Sequence, residues 1–398
     1  MTTTESHPAA VAVDVPDEHR REVSAGVHFD ALDGYRALAA LMVVLTHIAT
    51  TTNSVDGVLG RVLGRFDFGV PLFFLMSGFL LYRPWARTAL EGRAAPGLRR
   101  YSVRRAARIL PLYWVVVLTT LLALPEIRSA SPLQWVTHLT TLQIYFPTEH
   151  LLEGLTQTWS LCTEISFYVA LPLIGRLALG RRPRSLDEAW RRQLLMLVVL
   201  VAIAWAFTLV RVTTGLLPGQ SGFWLPGYLD WFAAGMGLAL VEVRSRLPHP
   251  PRLVTTTQAV GRDQASSLAI AIAVFAVACT PVAGSYLFTP NTAWENVSKH
   301  LLYLVAAFFL LLPGILGERR GWNALMSSSG PHRLGLVSYG VFLWHVMLIR
   351  LLLPVLGIAV FTGHAMLLAS VVIPTAIVVS TVTYVVVERP AQRWAHRF

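Results

Sequence analysis

Residues 33–52 read DGYRALAALMVVLTHIATTT, an apolar stretch long enough to cross a bilayer as a helix. It carries an arginine, Arg36, and a histidine, His47, eleven positions apart. Eleven steps of about 100° return to within about 20° of the same helix face, roughly 16 Å further along the axis. Because ionisable groups inside a membrane are costly, such a pair indicates a functional site. The alternative is that Arg36 anchors the helix at the lipid headgroups and His47 makes a packing hydrogen bond.

The composition predicts a membrane protein. Of the 398 residues, 54% are hydrophobic and 14% are charged, against roughly 25% charged residues in soluble domains. Only helices satisfy their backbone in a bilayer over segments of this length, so the sequence predicts an all-α, polytopic transmembrane helix bundle. Hydropathy and turn signals predict about ten spans, at 33–52, 66–84, 108–125, 159–179, 194–214, 224–242, 266–288, 298–316, 334–355 and 365–387.

The net charge of +11 is unevenly placed along the chain. Arginines concentrate in 83–108, 176–192, 244–262, 319–333 and 389–397, which all lie on one side of the ten-span arrangement. The positive-inside rule therefore predicts that both termini are cytoplasmic. Solvated basic loops account for the charge, and no nucleic-acid partner is expected.

The N-terminal residues predict the domain organisation, and the lysine and arginine content indicates the source of the protein. Residues 1–28 are polar and lack the apolar core of a signal peptide, which predicts a disordered cytoplasmic tail before one membrane domain at 29–398. A single lysine, Lys299, stands against 32 arginines. We read this bias as GC-rich coding and expect a bacterial protein that crosses the plasma (inner) membrane several times.

Several kinds of site have no support in the sequence. The two cysteines, Cys162 and Cys279, fall in apolar spans, and the twelve histidines are scattered, so neither a disulfide framework nor a metal site is predicted. GxSxG, P-loop and HExxH motifs are absent from the sequence. The familiar hydrolase, nucleotide-driven pump and zinc-protease mechanisms are therefore not indicated.

Small and basic residues mark two further stretches. In PLFFLMSGF at 71–79, Ser77 and Gly78 would let a thin ligand chain, or simply another helix, approach the backbone closely. The stretch RYSVRRAARILPLYW at 100–114 carries Arg104, Arg105 and Arg108 into a span. Arginine binds phosphate in a bidentate manner, so these side chains suit a phosphorylated cofactor, although they also suit anionic lipid headgroups.

Two more polar stretches lie inside predicted spans. In QTWSLCTEISFY at 157–168, which includes Trp159, the side chain of Glu164 lies at a depth similar to that of His47. A carboxylate beside an imidazole would support it as a general base, although a structural role for Glu164 is the alternative. In YGVFLWH at 339–345, Tyr339 and His345 either line the same cavity or are structural.

Together these stretches resemble the membrane acyltransferase-3 family from about Leu32 to the C-terminus. Arg36 and His47 match its Arg-x10-His signature, and 73–79 is similar to its FFxLSGF stretch. Residues 105–111, 159–168 and 339–345 resemble its RxxRIxP, WSLxxExxFY and SLYLWH stretches. Each motif is loose by itself, but five in the family's order are specific.

The resemblance implies an integral membrane O-acyltransferase that moves an acetyl or other short acyl group from cytoplasmic acyl-coenzyme A (acyl-CoA), with acetyl-CoA as the expected donor. The implied acceptor is a hydroxyl of an envelope glycan, a glycolipid or a secondary metabolite. His47 would be catalytic, as general base or as acyl carrier, and Glu164 would support it. The donor would be held by Arg36, Arg104, Arg105 and Arg108, and the substrate cavity would be lined by Ser77, Gly78, Trp159, Tyr339 and His345.

Two other classes of protein remain open from the residues. A transporter or flippase of envelope lipids or glycans would also use intramembrane charges, although the two halves show no repeat symmetry. A non-enzymatic sensor or scaffold would account for the polar tail and the basic loops. Membrane lipids are expected partners in each case.

Overall fold

The computed structural model describes residues 29–127, 129–147, 151–181, 183–286 and 291–398. This part of the chain is about 80% helical and contains no strand, which confirms the all-α prediction. The predicted N-terminal tail lies outside the described residues. The description of the fold therefore begins at Phe29, directly before the first membrane helix.

Fifteen α-helices are described, and they carry these labels throughout: α1 Asp30–Thr51, α2 Gly57–Gly64, α3 Gly69–Glu91, α4 Leu98–Ala123, α5 Pro132–Leu139, α6 Thr158–Leu179, α7 Leu186–Thr214, α8 Leu229–Arg244, α9 Arg252–Arg262, α10 Gln264–Ala278, α11 Ala293–Leu316, α12 Gly321–Met326, α13 Ser329–Val355, α14 Ala365–Thr383 and α15 Arg389–Ala395.

Eight of the helical segments in the described residues are long and apolar enough to cross a membrane. A ninth is obtained if α9 and α10, which meet at a bend of 86°, form one span. The predicted count of about ten is thus not confirmed. The predicted span that is missing from these nine is the one at 224–242, which corresponds to α8. Its 16 residues extend only about 24 Å, less than a hydrocarbon core of about 30 Å.

Helix α8 packs closely along α3 because glycines replace larger residues where the two backbones cross. A side chain on Gly78 would overlap the Phe232 carbonyl group, and one on Gly235 would overlap the backbone around Leu75. Aromatic stacking holds the same crossing, since the Phe232 ring lies 4.6 Å from that of Phe74. This crossing places the polar residues of α3 opposite α6.

Helices α1 and α13 lie side by side and run in the same direction. Near their beginnings, Gly335 contacts the backbone of Asp33, and about three to four turns later the rings of His47 and His345 meet. After the two helices end, the Phe361 amide donates to the Thr51 carbonyl group at 2.9 Å. The parallel packing brings two ionisable side chains together inside the bundle.

The basic stretch 100–108 belongs to a continuous helix. The predicted span at 108–125 misplaced its start, because α4 begins at Leu98. The arginines therefore project from fixed positions on a rigid element. We refer to the end of the bundle where α1, α4 and α13 begin and α3 ends as the arginine end, which is the predicted cytoplasmic end.

Candidate functional site

A cavity lies between α1, α3, α4, α6 and α13. It encloses about 810 Å³ of empty space, including its open mouth. Most of its wall is apolar, as expected for a ligand site within a helix bundle. Its polar lining consists of Arg36, Ser77, Arg105, Arg108, Ser160, Glu164, Tyr168, Ser338 and Tyr339.

Glu164 is the carboxylate of this cavity. It projects from the second turn of α6 and accepts hydrogen bonds from the hydroxyl groups of Ser77 and Tyr168, the latter at 2.6 Å. Tyr168 follows Glu164 by four residues, so both lie on one helix face. Three residues from two helices, α3 and α6, thereby form one polar centre in the cavity that the arginines also line.

Three of the four arginines that the sequence assigns to a donor site line the cavity. Arg36 on α1 pairs with Asp33 through an Nη1–Oδ1 contact of 2.6 Å, and Arg105 and Arg108 project from α4. Arg104 does not line the cavity, and its buried Nε has no hydrogen-bond partner among the described residues. Adjacent positions on a helix are about 100° apart, which turns Arg104 away when Arg105 faces inward.

His47 contacts His345, and not Glu164. The Nε2 atom of His345 lies 3.4 Å from Nδ1 of His47, and the ring centroids are 4.9 Å apart. No hydrogen bond between His47 and Glu164 is found in the described part of the chain. Equal depth in the membrane was the basis of the predicted pair, but depth does not determine the direction in which a side chain points.

The hydrogen bonds assign the protons of the two rings. Nδ1 of His47 lies 2.8 Å from the Val43 carbonyl oxygen, which can only accept, so Nδ1 carries the proton. Nδ1 of His345 likewise donates to the Phe342 carbonyl oxygen at 2.7 Å, which leaves a lone pair on its Nε2. The neutral His47 ring then presents an unprotonated Nε2, the atom that can accept a proton from a substrate.

The histidine pair adjoins the cavity through Phe342. This residue lines the cavity, and its ring centroid lies 6.0 Å from that of His345. Phe73, also in the cavity wall, packs edge-on against Phe342 at 6.0 Å. His47 is half-buried and His345 is fully buried, and neither belongs to the cavity lining itself.

The structure separates the other predicted cavity residues into two groups. Ser77 and Tyr339 line the cavity, and the Tyr339 hydroxyl group donates to the Ile109 carbonyl oxygen at 2.9 Å. Gly78 instead faces α8, and the Trp159 ring packs at 5.1 Å on Phe223. These two residues shape the surrounding bundle.

Some residues of the cavity were not singled out from the sequence. Tyr168, Ser160 and Ser338 line it. Tyr168 carried a usable signal, because it stands one helical turn after a membrane-embedded glutamate. The two serines carried none, since small polar residues are common at packed helix interfaces.

The cysteines and the acidic residues of the described part of the chain form no metal-binding cluster. Among the residues that the structure describes, no three His, Cys, Asp or Glu side chains come close enough to hold a metal ion. Cys162 is buried, Cys279 is half-buried, and neither forms a disulfide.

Comparison with known proteins gives a consistent result. Residues 29–385 match the acyltransferase domain that defines the acyltransferase-3 family. The chain is 26% identical to the acyltransferase MdmB of Streptomyces mycarofaciens, over 92% of each chain. It is 25% identical to the putative membrane-bound transacylase BcsY of Komagataeibacter xylinus, over 92% of this chain and 83% of that protein.

A third relative is longer than this chain. The peptidoglycan O-acetyltransferase OatA of Listeria monocytogenes is 24% identical over 82% of this chain but only 50% of its own length. No solved structure matches the chain. The family match covers the cavity and the histidine pair, and the chain therefore belongs to the acyltransferase-3 family of membrane acyltransferases.

Proposed function

We propose that the protein is an O-acyltransferase that moves an acetyl or other short acyl group from acyl-CoA to a hydroxyl group of an envelope glycan, a glycolipid or a natural product. The observation that carries the proposal is the cavity in which Arg36, Arg105 and Arg108 face Glu164, with a histidine pair behind its wall. The name of one relative supports an envelope glycan as acceptor, since OatA is a peptidoglycan O-acetyltransferase.

The donor would enter at the arginine end. Coenzyme A carries a diphosphate followed by a long, thin pantetheine arm that ends in the thioester. Arg36, Arg105 and Arg108 offer planar guanidinium groups that can bind phosphate oxygens in pairs. The apolar wall beyond them suits the arm, which would carry the thioester towards Phe342 and the histidines.

His47 would act as the general base. Its Nε2 accepts the proton of the acceptor hydroxyl group while the hydroxyl oxygen attacks the thioester carbonyl carbon. The tetrahedral intermediate then expels the coenzyme A thiolate, and the same proton returns from Nε2 to the sulfur. An acylated His47 is the alternative, and label that remains on the protein in the absence of acceptor would identify it.

His345 would support this proton transfer. The imidazolium that forms on His47 keeps Nδ1–H bonds to the Val43 carbonyl oxygen and to the lone pair on Nε2 of His345. Both contacts stabilise a positive charge on the His47 ring and hold Nε2 in place. His345 is thus proposed as a positioning residue, the role that the sequence assigned to Glu164.

Glu164 would position polar groups of the cavity, and it would not position the catalytic base. Its bonds to Ser77 and Tyr168 fix two hydroxyl groups, and its negative charge offsets part of the charge of Arg105 and Arg108. Such a carboxylate can also accept a hydrogen bond from a neighbouring hydroxyl group of the acceptor. Replacing Glu164 should then lower the turnover number without moving His47.

The proposal is tested with purified protein in detergent, labelled acetyl-CoA and a cell-envelope extract. We expect label in an alkali-labile ester, because an oxygen ester is the product of this transfer. Glu164→Gln should form the ester more slowly at an unchanged amount of folded protein. A transporter or flippase would leave all label on coenzyme A, and this result in the wild-type protein would refute the proposal.

A further inference from the structure

A second pocket opens at the arginine end, beside the main cavity. It lies at the end of α3 and encloses about 600 Å³ of empty space, including open solvent. Leu80 lines both this pocket and the main cavity, so one half-buried side chain separates them. Its other lining residues are Phe29, Arg83, Pro84, Arg87, Arg93 and Ala94.

The pocket carries more positive than negative charge. Arg87 and Arg93 share a single carboxylate, Glu91, at 3.0 and 2.5 Å. Arg83 binds Glu242 in a bidentate manner at 2.8 and 3.1 Å, and Arg246 contacts the same carboxylate. Four guanidinium groups, three of which line the pocket, therefore share two carboxylates. This excess of positive charge makes the pocket suitable for binding an anion.

An aromatic ring forms another wall of the pocket. The guanidinium carbon of Arg83 lies 5.2 Å from the centroid of the Phe29 ring, and Phe79 packs edge-on against that ring at 4.9 Å. Glu242 and Phe79 thus hold Arg83 and Phe29 in position. An aromatic ring beside several guanidinium groups suits a ligand that combines a flat heterocycle with phosphate.

The geometry of the donor accounts for two basic sites. Coenzyme A has a diphosphate next to the pantetheine arm and a separate 3′-phosphate on the ribose of its adenosine. If Arg36, Arg105 and Arg108 bind the diphosphate, the adenosine 3′-phosphate must lie further out at the same end. The pocket across Leu80 is basic, open to solvent and adjacent to the main cavity.

We propose that this pocket binds the adenosine 3′-phosphate end of acyl-CoA, with Arg87 and Arg93 on the 3′-phosphate and Phe29 beside the adenine. The inference rests on the proposed function and extends it, because it assigns a recognition site to the part of the donor that does not react. The same phosphate chemistry would also suit an anionic lipid headgroup, and the test separates these two sources.

The test compares three donors: acetyl-CoA, acetyl-3′-dephospho-CoA and S-acetylpantetheine. For Arg87→Gln/Arg93→Gln we expect the apparent KM for acetyl-CoA to rise on the order of tenfold with kcat unchanged, because charge-assisted phosphate bonds are lost. The KM for the two donors without the 3′-phosphate should not change. Arg99→Gln/Arg397→Gln removes two exposed charges outside both pockets and should leave all three values as in the wild-type protein.

The outcomes are distinct. A KM that rises equally for all three donors, or for none, while the wild-type protein is active would overturn the inference and leave the proposed function standing. Inactivity of the wild-type protein with every donor would instead refute the proposed function. Should the double variant fold poorly, Arg93→Gln alone serves, because its side chain is 43% exposed.

Lipid composition separates the nucleotide from a headgroup. The rise in KM should persist when the proteins are reconstituted into vesicles of pure phosphatidylcholine, which contain no anionic lipid. If the rise appears only in vesicles that contain phosphatidylglycerol, the pocket binds lipid and the nucleotide assignment is wrong.

Discussion

The reactivity of His47 depends on which of its nitrogens carries the proton. The Val43 carbonyl oxygen fixes that proton on Nδ1, and His345 adds a second acceptor at 3.4 Å. The tautomer of His345 is in turn fixed by the Phe342 carbonyl oxygen. Two rings and two backbone carbonyl groups therefore set the protonation of His47 and leave the lone pair of its Nε2 free. No carboxylate of the described residues forms a hydrogen bond with the His47 ring.

The His345 contact makes a specific prediction about catalysis. His345→Ala should lower kcat by about ten- to a hundredfold, with little change in donor KM, because the ring only positions and stabilises His47. His345→Gln keeps an oxygen that can accept from Nδ1–H, so it should retain more activity. Both effects are measured in the labelled transfer assay, with the folded fraction checked by gel filtration.

Coupling to His47 separates positioning from packing. A double variant His47→Ala/His345→Ala should be hardly slower than His47→Ala alone, because residues that act as one unit are not additive. If the two substitutions instead lower kcat independently, so that their fold-decreases multiply, His345 only stabilises the fold.

At the scale of helices, the site depends on close packing between α3 and its neighbours. The rings of Phe74, Phe232 and Phe167 stack across α3, α8 and α6, with centroids 4.6 and 4.0 Å apart. Such close approach requires small residues at the crossing, as is common between membrane helices. One turn along α3 from this stack, Ser77 reaches Glu164 on α6. Helix packing and site geometry are therefore linked.

Two glycines on α8 provide a matched test of the crossing. A Cβ on Gly235 would lie 2.8 Å from the Phe79 amide nitrogen, whereas one on Gly237 would meet only a Leu197 methyl group at 3.5 Å. Gly235→Ala should therefore destabilise the protein by about 1–3 kcal/mol through overpacking. Gly237→Ala should be neutral or slightly stabilising, because alanine favours the helix. Thermal unfolding in detergent measures both, and equal midpoints would contradict the packing account.

At the scale of the whole molecule, the direction of α8 determines on which side of the membrane the loops of the C-terminal half of the chain lie. Tyr228, just before α8, packs against Phe74 in the first turns of α3, and Glu242 near its end binds Arg83 near the end of α3. The two helices thus run in parallel. If α3 crosses towards the arginine end, α8 with the turn before it ends at the same side, despite being short.

This threading predicts the sides on which loops emerge. Reporter fusions near residue 56 and residue 185 should report opposite sides of the membrane, with residue 185 cytoplasmic. Fusions near residues 217 and 248 should also differ, because α8 lies between them. The measurement is paired reporter activity in whole cells. The same side for 217 and 248 would mean that α8 does not cross and that the C-terminus is extracytoplasmic.

The sequence predicts the helical class, most helices and most of the polar residues of the cavity, because apolar runs, arginine spacing and family motifs are local properties. It misassigned the partner of His47, because Glu164 and His345 lie on different helices at similar depth. Only packing decides which of them faces α1. It also placed Arg104 with Arg105 and Arg108, since the rotation of α4 is set by neighbouring helices and not by the arginines themselves.

The most direct test of the central claim is acyl transfer by His47→Ala. The assay follows release of free coenzyme A thiol and formation of the labelled ester in the same sample. We expect both to fall by about 10²–10⁴-fold, as for loss of a general base. His396→Ala, an exposed histidine near the C-terminus, should match the wild-type protein. Full activity of folded His47→Ala would contradict the account, because no other group is assigned to accept the proton of the acceptor hydroxyl group.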